Sequence, residues 1–188
     1  MDKAQLRQLG VTNLKKLAEH KRKKQQKEAV ILNLFFSSRL WKEAQIIGLT
    51  RSTSFEFNTE PIINRALAEG KIVAVPKSLP EHQLVFFEVD ANTTYQTTAF
   101  GVEEPVSQLQ VLKETIDLLL VPGVVFAKNG YRIGFGGGYY DRYLTDYQGK
   151  TCSLVFSEQL NSDWTPDHFD QPIARIYTDS AKGVNSYE

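Results

Sequence analysis

Five of the 12 glycines fall between residues 130 and 138, in the run Asn129-Gly130-Tyr131-Arg132-Ile133-Gly134-Phe135-Gly136-Gly137-Gly138-Tyr139-Tyr140-Asp141-Arg142. An average glycine share of about 7% puts less than one in a stretch of that length. Glycine accepts positive φ and lets another backbone or a ligand approach closely. Successive N–H groups ahead of a helix also form a concave anion site. The apolar run Leu118 to Val121 lies upstream and a helix-like stretch, Tyr139 to Leu144, follows. Strand, glycine loop and helix in that order mark where open α/β sheets bind ligands. A tight strand-to-helix connection packed on the sheet is the alternative. Arg132 and Arg142 beside the loop, and Asp141 as a hard oxygen donor for magnesium, favour a phosphate site. The loop is not a dinucleotide fingerprint, because G-x-G-x-x-G needs glycine where Tyr139 stands, and G-x-x-x-x-G-K-[ST] occurs nowhere in the chain.

The surrounding chain alternates helical and extended patterns. Leu6, Leu14 and Leu17, then Ala29, Leu32 and Phe36, recur at helical steps, so the first 38 residues read as helical. A β-rich run, Gln45 to Thr50, follows. Thr59-Glu60-Pro61 reads as a helix start with Thr59 as N-cap, and Gly70 as its terminator. Lys71 to Pro76, Leu84 to Val89, Leu118 to Val121, Ser153 to Phe156 and Ile173 to Tyr177 are further candidate strands. Continuous apolar strands alternating with helices predict an α/β fold: an open, largely parallel sheet with helices on both faces and an N-terminal helical segment. No repeat period interrupts it, so residues 1–188 are expected to form a single domain, with a smaller lobe around residues 80 to 110.

Charge and composition exclude several classes. The 22 basic and 22 acidic side chains cancel, yet residues 1–28 carry nine basic against three acidic groups. This basic head lacks the interleaved aromatics of a nucleic-acid arm, and Glu19 to Glu28, without an apolar residue, reads as a solvated helix surface. The longest apolar stretch, Leu118 to Ala127, is ten residues broken by Pro122-Gly123, far below the roughly 20 needed to span a bilayer. No signal-like h-region opens the chain and its single cysteine, Cys152, has no internal partner, so a cytoplasmic protein is expected. His20, His82 and His168 lack zinc spacing, Cys152 reads as a buried small hydrophobe, and Ser37-Ser38 and Ser52 to Ser54 lack a nucleophile elbow.

Val121-Pro122-Gly123 followed by Gly130 through Leu144 closely resembles the signature of the 5-formyltetrahydrofolate cyclo-ligases, also called 5,10-methenyltetrahydrofolate synthetases. The resemblance extends to Lys3-x-x-x-Arg7, Glu56-Phe57-Asn58-Thr59, Phe100-Gly101-Val102-Glu103-Glu104-Pro105, and Asp170 through Thr178-Asp179, and so spans nearly the whole chain. It implies a magnesium-dependent ligase of one-carbon metabolism that uses ATP as co-substrate to convert 5-formyltetrahydrofolate into 5,10-methenyltetrahydrofolate. The formyl oxygen is phosphorylated, the neighbouring folate nitrogen closes the ring, and ADP and phosphate are released. Such phosphoryl transfer calls chiefly for positioning and charge neutralisation. The alternative is a non-catalytic nucleotide- or RNA-binding relative on the same fold.

By the same resemblance, Lys3, Arg7, Arg132, Ile133, Gly134, Phe135, Gly136, Gly137, Gly138, Tyr139 and Tyr140 belong to the ATP site. Arg7, Arg51, Glu56 and the stretch Phe135, Gly136, Gly137, Gly138, Tyr139 contact folate. Tyr139 and Arg132 are the candidate catalytic side chains, and Asp141 and Asp179 the magnesium ligands. The i, i+4 spacing of Lys3 and Arg7 places both on one helix face, which could equally be solvated. Gly137 stands where some members of the family carry lysine, and Thr53-Ser54-Phe55 before Glu56 is less polar than expected. Small-molecule substrates, no nucleic acid, no membrane, and a monomer or weak homodimer complete the expectation.

Overall fold

A computed structural model describes residues 1–180 and 185–186. In chain order the elements are α1 (Lys3–Glu19), α2 (Lys21–Ser37), α3 (Arg39–Glu43), β1 (Ile46–Gly48), α4 (Glu60–Ala68), β2 (Ile72–Leu79), β3 (Gln83–Val89), β4 (Tyr95–Thr97), β5 (Glu103–Pro105), β6 (Gln110–Val111), β7 (Leu118–Leu120), β8 (Val125–Phe126), β9 (Arg132–Ile133), α5 (Tyr139–Leu144), β10 (Lys150–Val155), β11 (Arg175–Thr178) and β12 (Asn185–Ser186). The main sheet runs β12-β11-β10-β7-β1-β2-β3-β6. Its central pairings, from β11 to β2, are parallel, and the outer ones are antiparallel. The expected open, largely parallel sheet is present.

Alternation along each strand divides the core between two faces. Ile47, Leu49, Val73, Val75, Leu118, Leu120 and Cys152 pack with Leu6, Leu14 and Leu17 of α1, Ile31 and Phe35 of α2, and Ile62, Ile63 and Ala66 of α4. Ala74, Phe86, Leu119 and Val121 face the other way, onto Tyr143 and Leu144 of α5. Helices therefore cover both faces. Each fully buried leucine, valine or phenylalanine contributes about 1.5–3 kcal/mol. Leu14, Ile31, Phe35 and Trp41 are what fix the N-terminal helices on the sheet.

Three local expectations change. The helical N-terminus is two helices meeting at His20, whose φ of −98° and ψ of 67° leave the helical region. Thr59 is the N-cap residue of α4 as expected, but not through its side chain: its Oγ1 donates to the Thr50 carbonyl at 2.7 Å and accepts the Ser52 N–H at 3.1 Å, tying the two ends of that loop together. The run from Glu19 to Glu28 is not wholly solvated either. Lys24 and Glu28 are buried and pair at 2.6 Å, and Lys27 reaches Asp179 at 2.5 Å. An i, i+4 ion pair allowed α2 to turn a charged turn inward.

The chain leaves β1 for β2 on one side and β7 for β10 and β11 on the other. The order reverses between β1 and β7, which creates a crevice at their C-terminal ends. Thr50 follows β1 and Pro122 follows β7, so both stand at its mouth. No described helix is long and apolar enough to cross a membrane.

Candidate active site

The hairpin of β8 and β9, with Val125 opposite Ile133 and Phe126 opposite Arg132, delivers the glycine loop to this crevice. A cleft of about 350 Å³ opens there, walled by every residue from Arg132 to Asp141, by Thr50 and Pro122, and by Lys3 and Arg7 of α1. Gly136 and Gly138 sit at φ +103° and +70°, which turns the chain sharply before α5. No N–H from Gly134 through Gly138 donates to another described residue. Five successive donors without an acceptor among the described residues thus belong to residues that line the cleft. The helix that follows adds little to them, since α5 has only six residues.

Two cations approach it from α1, which Asp2 caps through the Gln5 N–H at 2.8 Å. Arg7 Nε donates to the Gly134 carbonyl at 2.8 Å and lies across the loop. Lys3 Nζ pairs with Asp167 at 2.5 Å and with Asp170. Burial alone would lower the Lys3 pKa, but the two carboxylates outweigh it and hold the ammonium charged. Asp167, Phe169 and Asp170 also line the cleft.

Arg132 and Asp141 are coupled. The Arg132 side chain is only 3% exposed. Its Nη1 donates to Asp141 Oδ1 at 3.0 Å and to the Gln171 carbonyl at 3.2 Å, and its Nε to the Pro122 carbonyl at 3.3 Å. The guanidinium thus braces three chain segments beneath the loop. Tyr140 contributes a buried hydroxyl with no hydrogen-bond partner among the described residues. Burial drives its pKa up, with Arg132 opposing and Glu56 adding to the shift, so the hydroxyl remains a donor. An unpartnered donor beside a cleft is costly unless a ligand meets it.

Glu56 stands behind, in a narrower cavity of about 50 Å³ that shares Thr50 and Pro122 with the cleft. Its Oε2 accepts the N–H and hydroxyl of Thr53 at 2.8 and 2.6 Å. The two cavities thus adjoin at Thr50 and Pro122, with one oriented carboxylate on the far side from the glycine loop.

A model of the 5-formyltetrahydrofolate cyclo-ligase family matches residues 1–179. The chain belongs to the 5-formyltetrahydrofolate cyclo-ligase family. A 5-formyltetrahydrofolate cyclo-ligase of Haemophilus influenzae is 32% identical over 72% of this chain and 76% of its own length. A probable one of Caenorhabditis elegans is also 32% identical, over 84% and 83%. The solution structure of Aquifex aeolicus 5,10-methenyltetrahydrofolate synthetase superposes with a TM-score of 0.84 at 28% identity, covering 99% of this chain and 93% of that one.

Within this family member, the expected site residues separate into groups. Lys3, Arg7 and Arg132 through Tyr140 line one cleft, and Glu56 lines the adjoining cavity. Arg51 lies apart from both: its Nε pairs with Glu103 at 2.6 Å and its guanidinium stacks on Tyr95 at 4.1 Å, which fastens the β4–β5 ribbon to the loop after β1. Asp141 and Asp179 share neither a cavity lining nor a partner. Asp179 binds Lys27 at 2.5 Å and the Ser157 N–H at 2.7 Å. Asp167 and Asp170 were missed as site residues; the D-x-x-D spacing ahead of the last candidate strand was the available signal, but nothing local showed that Lys3 would draw both to the cleft.

Burial would raise the Asp179 pKa, yet Lys27 and the two Ser157 hydrogen bonds outweigh it and lower it. A carboxylate with a depressed folded pKa stabilises the fold above its ordinary value and loses that contribution as pH falls through the lowered one. Asp179→Asn is therefore expected to lower the melting temperature at neutral pH, with the difference from wild type shrinking as the pH falls below the ordinary carboxylate range. Thermal melts at several pH values check this.

Proposed function

We propose that this family member converts 5-formyltetrahydrofolate to 5,10-methenyltetrahydrofolate, using ATP with magnesium and releasing ADP and phosphate. The observation that carries the nucleotide reading is the row of N–H groups from Gly134 to Gly138, unpaired among the described residues, in a loop that lines a cleft with Lys3 and Arg7. Backbone donors and two cations suit a triphosphate. Glu56 suits the pterin, whose N–H groups need an acceptor. At about 50 Å³ its cavity admits the edge of a ring, which leaves the formyl group near the shared residues Thr50 and Pro122.

In the reaction the formyl oxygen attacks the γ-phosphorus and ADP leaves. The neighbouring folate nitrogen then adds to the activated carbon and gives up its proton, and the C–O bond breaks to release phosphate. Arg7 and the loop hold the phosphates in place, and Tyr140 offers its hydroxyl proton as a hydrogen bond where negative charge develops. Tyr139 forms the wall between the loop and the folate side.

The donor set also fits magnesium, which takes one or two carboxylates together with phosphate oxygens and not a ready-made protein cage. Of the four carboxylates that border the cleft, Glu104, Asp141, Asp167 and Asp170, we assign Asp141 beside the glycine loop and the buried Asp170 to the metal, and among the described residues no cluster of three potential ligands exists. Magnesium would neutralise phosphate charge there. Asp141→Asn and Asp170→Asn are each expected to raise the magnesium concentration for half-maximal rate by about 10-fold or more. Asp179→Asn is expected to leave it unchanged.

The deciding assay mixes protein, MgATP and 5-formyltetrahydrofolate and follows the ultraviolet absorbance of the methenyl product, with ADP measured alongside. One ADP per product is expected. Folded protein that yields no ATP-dependent product defeats the proposal.

A further inference from the structure

We infer that His82 is a positioning residue that holds the Tyr139 ring against the glycine loop and thereby shapes folate binding. The inference rests on the proposed cyclo-ligase function for its substrate and on three observations for its geometry. The His82 and Tyr139 rings lie 5.4 Å apart, tilted by 58°. A β-carbon on Gly137 would fall 2.6 Å from Tyr139 Cδ2 and Cε2. The tyrosine ring therefore packs against both the imidazole and the bare Cα of Gly137, and Tyr139 lines the cleft.

The third observation is the backbone that presents the imidazole. β2 and β3 pair down to Leu79 opposite Gln83, leaving Pro80, Glu81 and His82 to close the hairpin. Glu81 and His82 take φ of 61° and 58°, and they are the only non-glycine residues with positive φ among those described. Asparagine or glycine would close such a hairpin with less strain. Hairpin geometry thus accounts for the conformation but not for a histidine in it. Strain of this kind persists where the side chain has work at a site, and the one ring His82 meets belongs to the cleft.

Among the described residues the His82 side chain makes no other ring, ionic or hydrogen-bond contact, so its effect passes through Tyr139. Without the imidazole the tyrosine ring can swing off Gly137 into the mouth of the cleft, where it competes with the folate for space. ATP, held by loop N–H groups, Lys3 and Arg7, does not depend on that ring.

Two measurements on the full chain test this. His82→Ala is expected to raise KM for 5-formyltetrahydrofolate about fivefold to tenfold, the worth of one aromatic contact, with kcat and KM for ATP within about twofold. His82→Phe, which keeps a flat ring, is expected to restore most of the affinity. In parallel, the His82 ring protons, assigned by NMR through their loss in His82→Ala, should shift when Tyr139→Leu removes the neighbouring ring. An unchanged folate KM in His82→Ala, or His82 resonances that do not move in Tyr139→Leu, overturns the inference. Wild-type protein that neither binds nor turns over the folate instead defeats the proposed function, and the substrate role of His82 with it, while the ring contact is still decided by NMR.

Discussion

Replacing Gly136 with valine is expected to cut turnover by at least about 100-fold, the scale of losing an anion-stabilising donor set, while the protein stays folded. Gly136 has φ +103°, a region valine avoids, so the loop must re-form around the new residue. Its β-carbon would point at Arg7, whose Cζ, Nε and Nη1 lie 3.5, 3.6 and 3.8 Å away. One methyl pair thus disturbs both the row of N–H donors and the cation lying across them. The site is exposed and no core side chain touches it, so the strain of about 1–3 kcal/mol is local. Gly130→Ala provides the contrast. There a β-carbon would fall 2.4 Å from the Ile173 carbonyl, at a position whose own carbonyl accepts the Ile173 N–H at 2.9 Å. That variant should lose about 2–4 kcal/mol of stability, several degrees of melting temperature, before any effect on chemistry is considered. Steady-state rates and thermal melts on both variants separate the two kinds of glycine. Normal kinetics for Gly136→Val would mean that the loop serves only the fold.

The contrast bears on how much of the molecule its sequence discloses. Strands such as Leu118 to Leu120 are continuous apolar runs, and the glycine loop is dense enough to announce a backbone function. Both follow from local composition, as does the i, i+4 pairing of Lys3 with Arg7 on one face of α1. The short strands β4, β5 and β6 carry two or three residues each, too few for alternation to show. Their pairing depends on contacts with chain far away. Charged partners are hidden for the same reason: 167 residues separate Lys3 from Asp170, and 152 separate Lys27 from Asp179. A motif places a carboxylate near a site in the sequence, but only the packing of α2 on β11 determines that Lys27 meets Asp179. Arg51 is similar, since its position after β1 suggests the crevice while Tyr95 and Glu103 draw the side chain to the ribbon.

Arg132 presents the sharper question, because one side chain can brace the site, contact phosphate, or do both. Arg132→Met is expected to destabilise the protein by about 3 kcal/mol or more, because it removes one partner of a buried ion pair and leaves Asp141 with only the Gln171 N–H. For a chain of this size that corresponds to roughly 6–12 °C in melting temperature. Arg132→Lys should recover little. A planar fork reaches the Pro122 carbonyl from Nε and Asp141 and Gln171 from Nη1, whereas an ammonium is a point charge on a flexible stem. The double variant Arg132→Met with Asp141→Asn then decides how the residue acts. If Arg132 works by neutralising and orienting Asp141, the second substitution removes the orphaned charge and costs less than it does alone, so the two losses of stability fall short of additive. Nucleotide binding, measured by calorimetry without folate, should fall in both single variants because each lets the loop lose its support. Should Arg132→Met keep its melting temperature and ATP affinity and lose only kcat, the guanidinium acts on the transferring phosphoryl group itself, and bracing is secondary.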